Sequence, residues 1–246
     1  MSLSHWACCA RIRCAHREFR RRPRSGSMLH TSVQDYVKAI YELEVAQKRP
    51  GTKALADLLG VQMASVTAMV KNLAEEGFLK HVPYRGFRLR PKGRDLALRM
   101  LRRHRLIELF LVQTLGLGWD EVHADAEQME HAVSDALIER IDEYLGYPQF
   151  DPHGAAIPGV DGKVVARRGV SIAQLKAGDD GTVIEVEDKD PDFLRFVSSL
   201  GIKIGSTVEV IGNEPYGGPV TLRLGKRNIV MGTEAAARLR IARDEP

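Results

Sequence analysis

Residues 123–131, HADAEQMEH, place two histidines and three acids within nine positions. Imidazole nitrogens and carboxylate oxygens are donors that a divalent cation takes, so the segment is a candidate metal site. On a helix of 3.6 residues per turn, Glu127, Glu130 and His131 stand at i, i+3 and i+4 and share one face, with His123 one turn earlier. The competing reading is a solvated acidic face carrying an ordinary ion pair, and the segment alone does not decide between the two.

The elements around it narrow the choice. From Ser32 the run SVQDYVKAIYELEVAQ sets Val33, Tyr36, Val37, Ile40, Tyr41 and Leu43 at helical spacing after a Thr/Ser cap. In TKALADLLGVQMASVTAMVKNLAEEGFL, Leu55, Ala56, Leu58 and Leu59 precede Gly60. Val66, Met69, Val70 and Leu73 follow it, which is a helix-turn-helix pattern. FLKHVPYRGFRLRPKG then alternates apolar and basic residues about a glycine turn, as a hairpin does, and completes a winged helix.

A long helix is expected from about Pro91 to Leu115, followed by an amphipathic helix with Val122, Ala126, Met129, Val133, Leu137, Ile138 and Ile141 on its apolar face. Two such helices after a winged helix are suited to a dimer interface, the symmetry a palindromic DNA site demands. YPQFDPHGAAIPGVDGK, rich in Pro and Gly, ends the helical half. Beyond it GTVIEVED, STVEVIG, VTLRLG and RNIVMG read as short strands with one helix, DPDFLRFVSSLG, and predict a small barrel.

The expected fold is therefore α+β. Its parts are a basic extension (1–27), a winged helix-turn-helix domain (28–92), a helical metal-binding and dimerisation domain (93–147), a linker (148–169) and an SH3-like β-barrel (170–246).

Charge supports binding to DNA, but only locally. The net +4 of the 246 residues is dominated by residues 1–27, whose seven arginines against Glu18 give +6 and leave about −2 for the rest. Between Lys71 and Arg105, however, eleven Lys or Arg face three acids on ordered elements able to follow a phosphate backbone. The recognition helix is expected to begin near Gln62. Gln62, Ala64, Ser65 and Thr67 then face base edges, Lys71 faces phosphate, and Arg85 and Arg88 of the wing contact phosphate or the minor groove. Only Gln62 among the base-facing residues offers a bidentate contact, so specificity leans on methyl contacts and DNA shape. Ala64 and Ser65 read equally well as small residues that permit close approach.

All three cysteines, Cys8, Cys9 and Cys14, lie in the extension, and a cysteine-free body suits a reducing cytoplasm. The extension is Arg-rich like a transit peptide, and its cysteines with His5 and His16 could form a thiolate metal site. A disordered leader, or a start codon set upstream of Met28, fits better because arginines interrupt every periodic face. No apolar run approaches the roughly 18 residues of a membrane span, so a soluble protein without a membrane partner is expected.

DYVKAIYELE, SVTAMVKNLAEEGFL, YRGFRLRPKG, RRHRLIELFL, VHADAEQMEHAVSD and DPHGAAIPG, in that order, make the chain similar to the diphtheria toxin repressor family of metal-dependent transcriptional repressors over nearly everything after Met28. That resemblance implies a homodimer on a palindromic operator in double-stranded DNA. It also implies a primary metal site on Asp35, Glu127, Glu130 and His131, and an ancillary site on His104, Glu108 and His123. An acid from EDKDPDF completes the ancillary site, with Asp192 expected among Asp188, Asp190 and Asp192. His104, amid RRHR, has a phosphate-contacting role as its alternative.

The iron-responsive branch of the family uses methionine and cysteine where this chain has Asp35 and Glu127. Carboxylates at both positions match the manganese-responsive branch, and hard oxygen donors suit Mn²⁺ better than a thiolate or thioether site does. Fe²⁺ is the alternative ion, since such ligands bind it more tightly and selectivity must come from geometry and supply. Short manganese regulators carry a second-metal glutamate where this chain has Lys38, and a cation three residues from Asp35 repels a second ion.

The resemblance thus implies a manganese-dependent repressor of metal-uptake genes, with an iron-responsive repressor as the alternative. A metallohydrolase is disfavoured, with no H-E-x-x-H present. A transport-associated interaction protein, suggested by the barrel's likeness to domains of ferrous-iron uptake proteins, is disfavoured by the winged helix.

Overall fold

A computed structural model describes residues 31–82, 86–165 and 167–243. The leader and Arg85 of the wing lie outside the described residues. The first unit is built from α1 (Thr31–Val45), α2 (Thr52–Leu59), α3 (Met63–Glu75) and the hairpin β1 (Leu79–Val82) and β2 (Gly86–Leu89). On α1 the stripe Val33, Tyr36, Val37, Ile40, Tyr41 and Leu43 is buried against α2, α3, the hairpin and the first half of α4 (Pro91–Leu115). Each fully buried side chain here, such as Ile40 or Leu55, contributes about 1.5–3 kcal/mol over the exposed state.

Gly60 stops α2 at φ 65°, in the left-handed region that glycine adopts without strain. Gln62 then enters α3 in an extended conformation without its side chain capping the helix, so its amide is left for other partners. At Gly86 (φ +83°) an added Cβ would lie 2.1 Å from the Pro50 carbonyl. That close approach seats the wing on the α1–α2 connection through the Phe87 N–H to Pro50 O bond of 2.8 Å.

The α4 helix crosses the expected boundary at residue 92. Its first half, Leu96 to Leu101, packs into the winged-helix core, whereas Leu106, Ile107, Leu109 and Leu111 pack with α5 (Val122–Met129) and α6 (Asp135–Tyr144). The single amphipathic helix expected after Gly116 is two. Arg103 reaches over from α4 and donates to the carbonyls of Glu130 (2.9 Å) and Val133 (2.6 Å). Those acceptors leave the α5 ladder, and Ser134 Oγ accepts the Leu137 N–H to start α6.

The expected linker is partly a folded knob. Asp151 Oδ1 accepts the N–H groups of His153 and Ala155, both at 2.9 Å. Gly154 (φ +88°) sits so close to β4 that a Cβ would fall 1.9 Å from Ile184 O.

The last unit carries β3 (Val170–Ser171), β4 (Asp180–Val186), α7 (Pro191–Ser199), β5 (Thr207–Asn213), β6 (Val220–Leu224), β7 (Arg227–Met231), α8 (Thr233–Ala237) and β8 (Leu239–Ala242). All strand pairs are antiparallel, in the order β3-β8-β4-β5-β6-β7. No pairing joins β3 to β7 among the described residues, so the expected barrel is an open, bulged sheet wrapped around its own core.

Candidate metal centres and nucleic-acid interface

Three constellations of donors lie where these elements pack together. In the first, α1 brings Asp35 to the C-terminal end of α5, where Arg103 holds the backbone of Glu130. Donor atoms of Asp35, Glu130 and His131 lie within 4.8 Å of one another. His131 Nδ1 faces Gln34 Oε1 at 2.6 Å, and as donor there it turns a lone pair on Nε2 toward Asp35 Oδ1, 3.0 Å away. Two acceptors at that distance call for a cation or a proton between them. Burial pushes the Asp35 carboxyl above its ordinary range, although His131 pulls it down. Glu127 stands aside from this triad with 57% of its side chain exposed, 3.9 Å from Lys38 Nζ and 3.7 Å from His123 Nε2.

Lys38 is buried between the first and second constellations. Its ammonium donates to both oxygens of Glu130 at 3.0 Å and lies 3.2 Å from His104 Nδ1. Glu130 Oε2 is closer still to that nitrogen, at 2.6 Å, which makes His104 Nδ1 a donor to the carboxylate. Burial raises Glu130, but the bonds from His104 and Lys38 win and hold its pKa down. Lys38 is therefore a tethered cation where the sequence suggested only repulsion of a second ion.

The second constellation unites His104 and Glu108, one turn apart on α4, with His123 of α5. His104 Nε2 lies 2.9 Å from Glu108 Oε1 and 3.1 Å from His123 Nδ1, and the latter is 3.1 Å from Glu108 Oε1. His104 is 3% exposed, which removes the phosphate-contact alternative. Burial lowers the imidazolium, but hydrogen bonds to Glu108 and Glu130 outweigh it and hold the pKa up at about 9. For Glu108 burial raises the pKa, and the bonds from His104 and His123 bring it well below the usual carboxylate range.

The third constellation was not legible as a site. Asp151 and His153 of the DPHG knob meet Glu108 of α4 and Asp188 of the β4–α7 loop, with ligand atoms within 4.8 Å. His153 Nε2 donates to the Trp119 carbonyl at 2.7 Å, so Nδ1 carries the lone pair. That Nδ1, Glu108 Oε2 and Asp151 Oδ2 are all buried without a hydrogen-bond partner.

Three converging acceptors are a costly arrangement for which a divalent cation is the matching partner. Burial pushes Asp151 up to about 7 against the opposing pull of Arg105. The two ligand types at i and i+2 in DPHG were the available signal, masked by a Pro/Gly context that reads as linker. Asp192, the expected barrel ligand, instead points away with 90% of its side chain exposed and pairs with Arg195 at 2.5 Å. Asp190 caps α7, which leaves Asp188 as the acid of that loop facing the cluster.

Of the residues expected to face DNA, those described are individually exposed. Gln62, Ala64, Ser65, Thr67, Lys71 and Arg88 are all exposed, and Thr67 Oγ1 donates to Met63 O, so that its methyl is the group left outward. Three arginines counted toward the basic face serve inside the protein. Arg102 binds Asp142 at 2.5 Å, Arg103 holds the α5–α6 turn, and Arg105 approaches Asp151 at 3.5 Å.

Comparisons with known proteins cover all three parts of the chain. The profile described as "Iron dependent repressor, N-terminal DNA binding domain" matches residues 28–87. That for the "metal binding and dimerisation domain" matches 90–159, and a FeoA domain profile matches 170–243. The iron-dependent repressor IdeR of Mycobacterium tuberculosis is 30% identical over 222 residues, spanning 85% of this chain and 96% of its own. A solved manganese-dependent transcriptional repressor in complex with manganese is 39% identical, with a TM-score of 0.81 over 86% of this chain and 99% of its own. The manganese regulator SloR is 30% identical with a TM-score of 0.73, over 86% and 98% of the two chains.

Proposed function

The chain belongs to the iron-dependent repressor family of metal-dependent, DNA-binding transcriptional regulators rather than enzymes, and from that premise we propose that it is a manganese-activated repressor. In this reading it acts in the cytoplasm as a homodimer on a palindromic operator upstream of metal-uptake genes. The observation that carries the choice of metal is the donor set. Carboxylate oxygens and imidazole nitrogens make up all three constellations, and the sequence has no cysteine after Cys14, which suits a hard cation. Asp35 and Glu127 are also carboxylates at the positions where the iron-responsive branch of the family carries methionine and cysteine.

A bound divalent cation supplies positive charge shared between elements that otherwise present acids to one another. Asp35, Glu130 and His131, with Glu127 of α5 as a further carboxylate, would hold it at the first site. His104, Glu108 and His123 would serve at the second, and Glu108, Asp151, His153 and Asp188 at the third. Glu108 contributes one oxygen to each of the last two.

In each case the chain's own work is orientation. Gln34 sets the His131 tautomer, Trp119 O sets that of His153, and Arg103 fixes the turn that carries Glu130. Asp35 ties α1, and with it the helix-turn-helix, to α5. In a dimer that tie sets the spacing at which two α3 helices can enter successive major grooves. Leu115, Leu137 and Tyr144, large apolar side chains exposed on α4 and α6, offer the surface a second copy would cover.

The test is DNA binding by fluorescence anisotropy on duplexes recovered from a random pool, with Mn²⁺, Fe²⁺, Zn²⁺ or chelator, for the wild type and Asp35→Met/Glu127→Cys. The reading predicts Mn²⁺-dependent binding by the wild type and a shift toward Fe²⁺ in the double variant. Unchanged metal preference in the variant would overturn the ligand assignment.

A further inference from the structure

The loop Glu187–Asp190 joins the third constellation to the DNA-binding unit through neighbouring residues. Asp188 faces Glu108, Asp151 and His153. The next side chain, Lys189, donates to Glu42 on α1 and lines, with Asp35, Glu127, Glu130 and His131, the cavity of about 790 Å³ above the first site.

The loop is braced at both ends. Arg238 pairs with Glu187 at 3.4 Å and with Asp190 at 3.0 Å, and Asp190 caps α7 by accepting the Phe193 N–H. Asp188 and Lys189 are therefore adjacent positions of a short segment held at both ends, so a change in the position of one bears on the other. Glu42 stands seven residues after Asp35, two turns along the same face of α1 and roughly 10 Å away. The metal ligand and the Lys189 contact thus grip one stripe of one helix at two heights.

We propose that this loop is a relay by which a cation bound at Glu108, Asp151, His153 and Asp188 seats Lys189 on Glu42 and so fixes α1, raising affinity for DNA without the loop touching DNA. The proposal rests on the metal-dependent repressor reading above and adds to it the route by which the C-terminal unit acts. The coupling is a binding free energy shared between two sites, and the bistable contact is the Lys189–Glu42 pair.

The experiment uses the full chain and a duplex recovered from a random pool by the wild type with Mn²⁺. Mn²⁺ bound per chain is counted by calorimetry. DNA affinity is measured for wild type, Lys189→Glu, Glu42→Lys/Lys189→Glu and Asp188→Asn, and for Lys189→Glu placed in the Asp188→Asn background. Lys189→Glu should leave the Mn²⁺ count unchanged and weaken DNA binding about fivefold, the upper range for an exposed pair. The charge-swapped double variant should recover to within about twofold. Asp188→Asn should lower the count by one, and in that background Lys189→Glu should cost less than about twofold.

An equal cost in both backgrounds, or no cost in the wild type, overturns the relay. So does failure of the swapped pair to recover. A wild type that recovers no DNA with Mn²⁺ refutes the repressor reading itself, which separates the two failures.

Discussion

Replacing Lys38 by methionine removes one of the two cationic side chains that hold the buried Glu130 carboxylate. The Lys38 ammonium is 8% exposed as a residue, and Glu130, which it holds by two bonds of 3.0 Å, is 1% exposed. Removing one partner of a buried ion pair costs about 3–5 kcal/mol, because the other charge stays buried and uncompensated. Here His104 remains on Glu130 at 2.6 Å, so the loss in metal-free protein should sit near the lower end, about 3 kcal/mol.

For a chain of this size each kcal/mol moves a melting midpoint by roughly 2–4 °C, which gives a fall of about 6–12 °C. Thermal melts followed by circular dichroism, with chelator and with saturating Mn²⁺, make the measurement. The account expects the full deficit with chelator. It expects a deficit at least halved with Mn²⁺, because Glu130 then has a cation again. An unchanged midpoint with chelator, or the same deficit in both conditions, would refute the role given to Lys38.

Other outcomes follow from the same geometry. His104 is held up at about 9, so its contribution to the metal-free fold is complete below its ordinary value of 6.5 and is lost as pH rises through about 9. A metal taking His104 must displace that proton, so Mn²⁺ affinity at this cluster should rise up to tenfold per pH unit between about 7 and 9. Calorimetry in buffers of different ionisation enthalpy should show the proton released. Asp151→Asn should lower the number of Mn²⁺ ions per chain by one and, since it takes a raised carboxyl at about 7 out of a buried site, should not destabilise the metal-free protein; a large loss of chelated stability would contradict the site. Gln62→Ala should relax preference at one base position at a cost of about 1–3 kcal/mol on the preferred sequence. Lys71→Ala should weaken all sequences alike and lower the salt slope by about 1.

Much of this was legible in the amino-acid order, and the exceptions have physical reasons. Periodicity places α1, α3 and α4, because each buries one continuous stripe. It misses the break between α5 and α6, because apolar spacing runs on through residues 130–134 while Arg103, from a distant helix, takes the carbonyls that would continue the ladder.

Of the residues proposed for the first site, Asp35, Glu130 and His131 lie together, and Glu127 is turned toward Lys38 and His123. The second site, His104, Glu108 and His123, assembles because the i, i+4 pair on α4 faces α5 squarely. Asp151 and His153 sit in a Pro/Gly stretch that reads as linker, since the Asx turn that buries them depends on docking to β4. The choice of Asp188 over Asp192 depends on where the β4–α7 loop ends and α7 begins, a boundary set by the Asp190 cap.

The central claim is that metal and DNA bind one conformation, so their affinities must be linked. Titrating Mn²⁺ into the wild type with and without a saturating selected duplex, and titrating that duplex with and without Mn²⁺, measures both sides of the linkage. The account predicts that Mn²⁺ tightens DNA binding, and that DNA tightens Mn²⁺ binding by the same overall free energy. DNA affinity that is equal in Mn²⁺ and in chelator would contradict it.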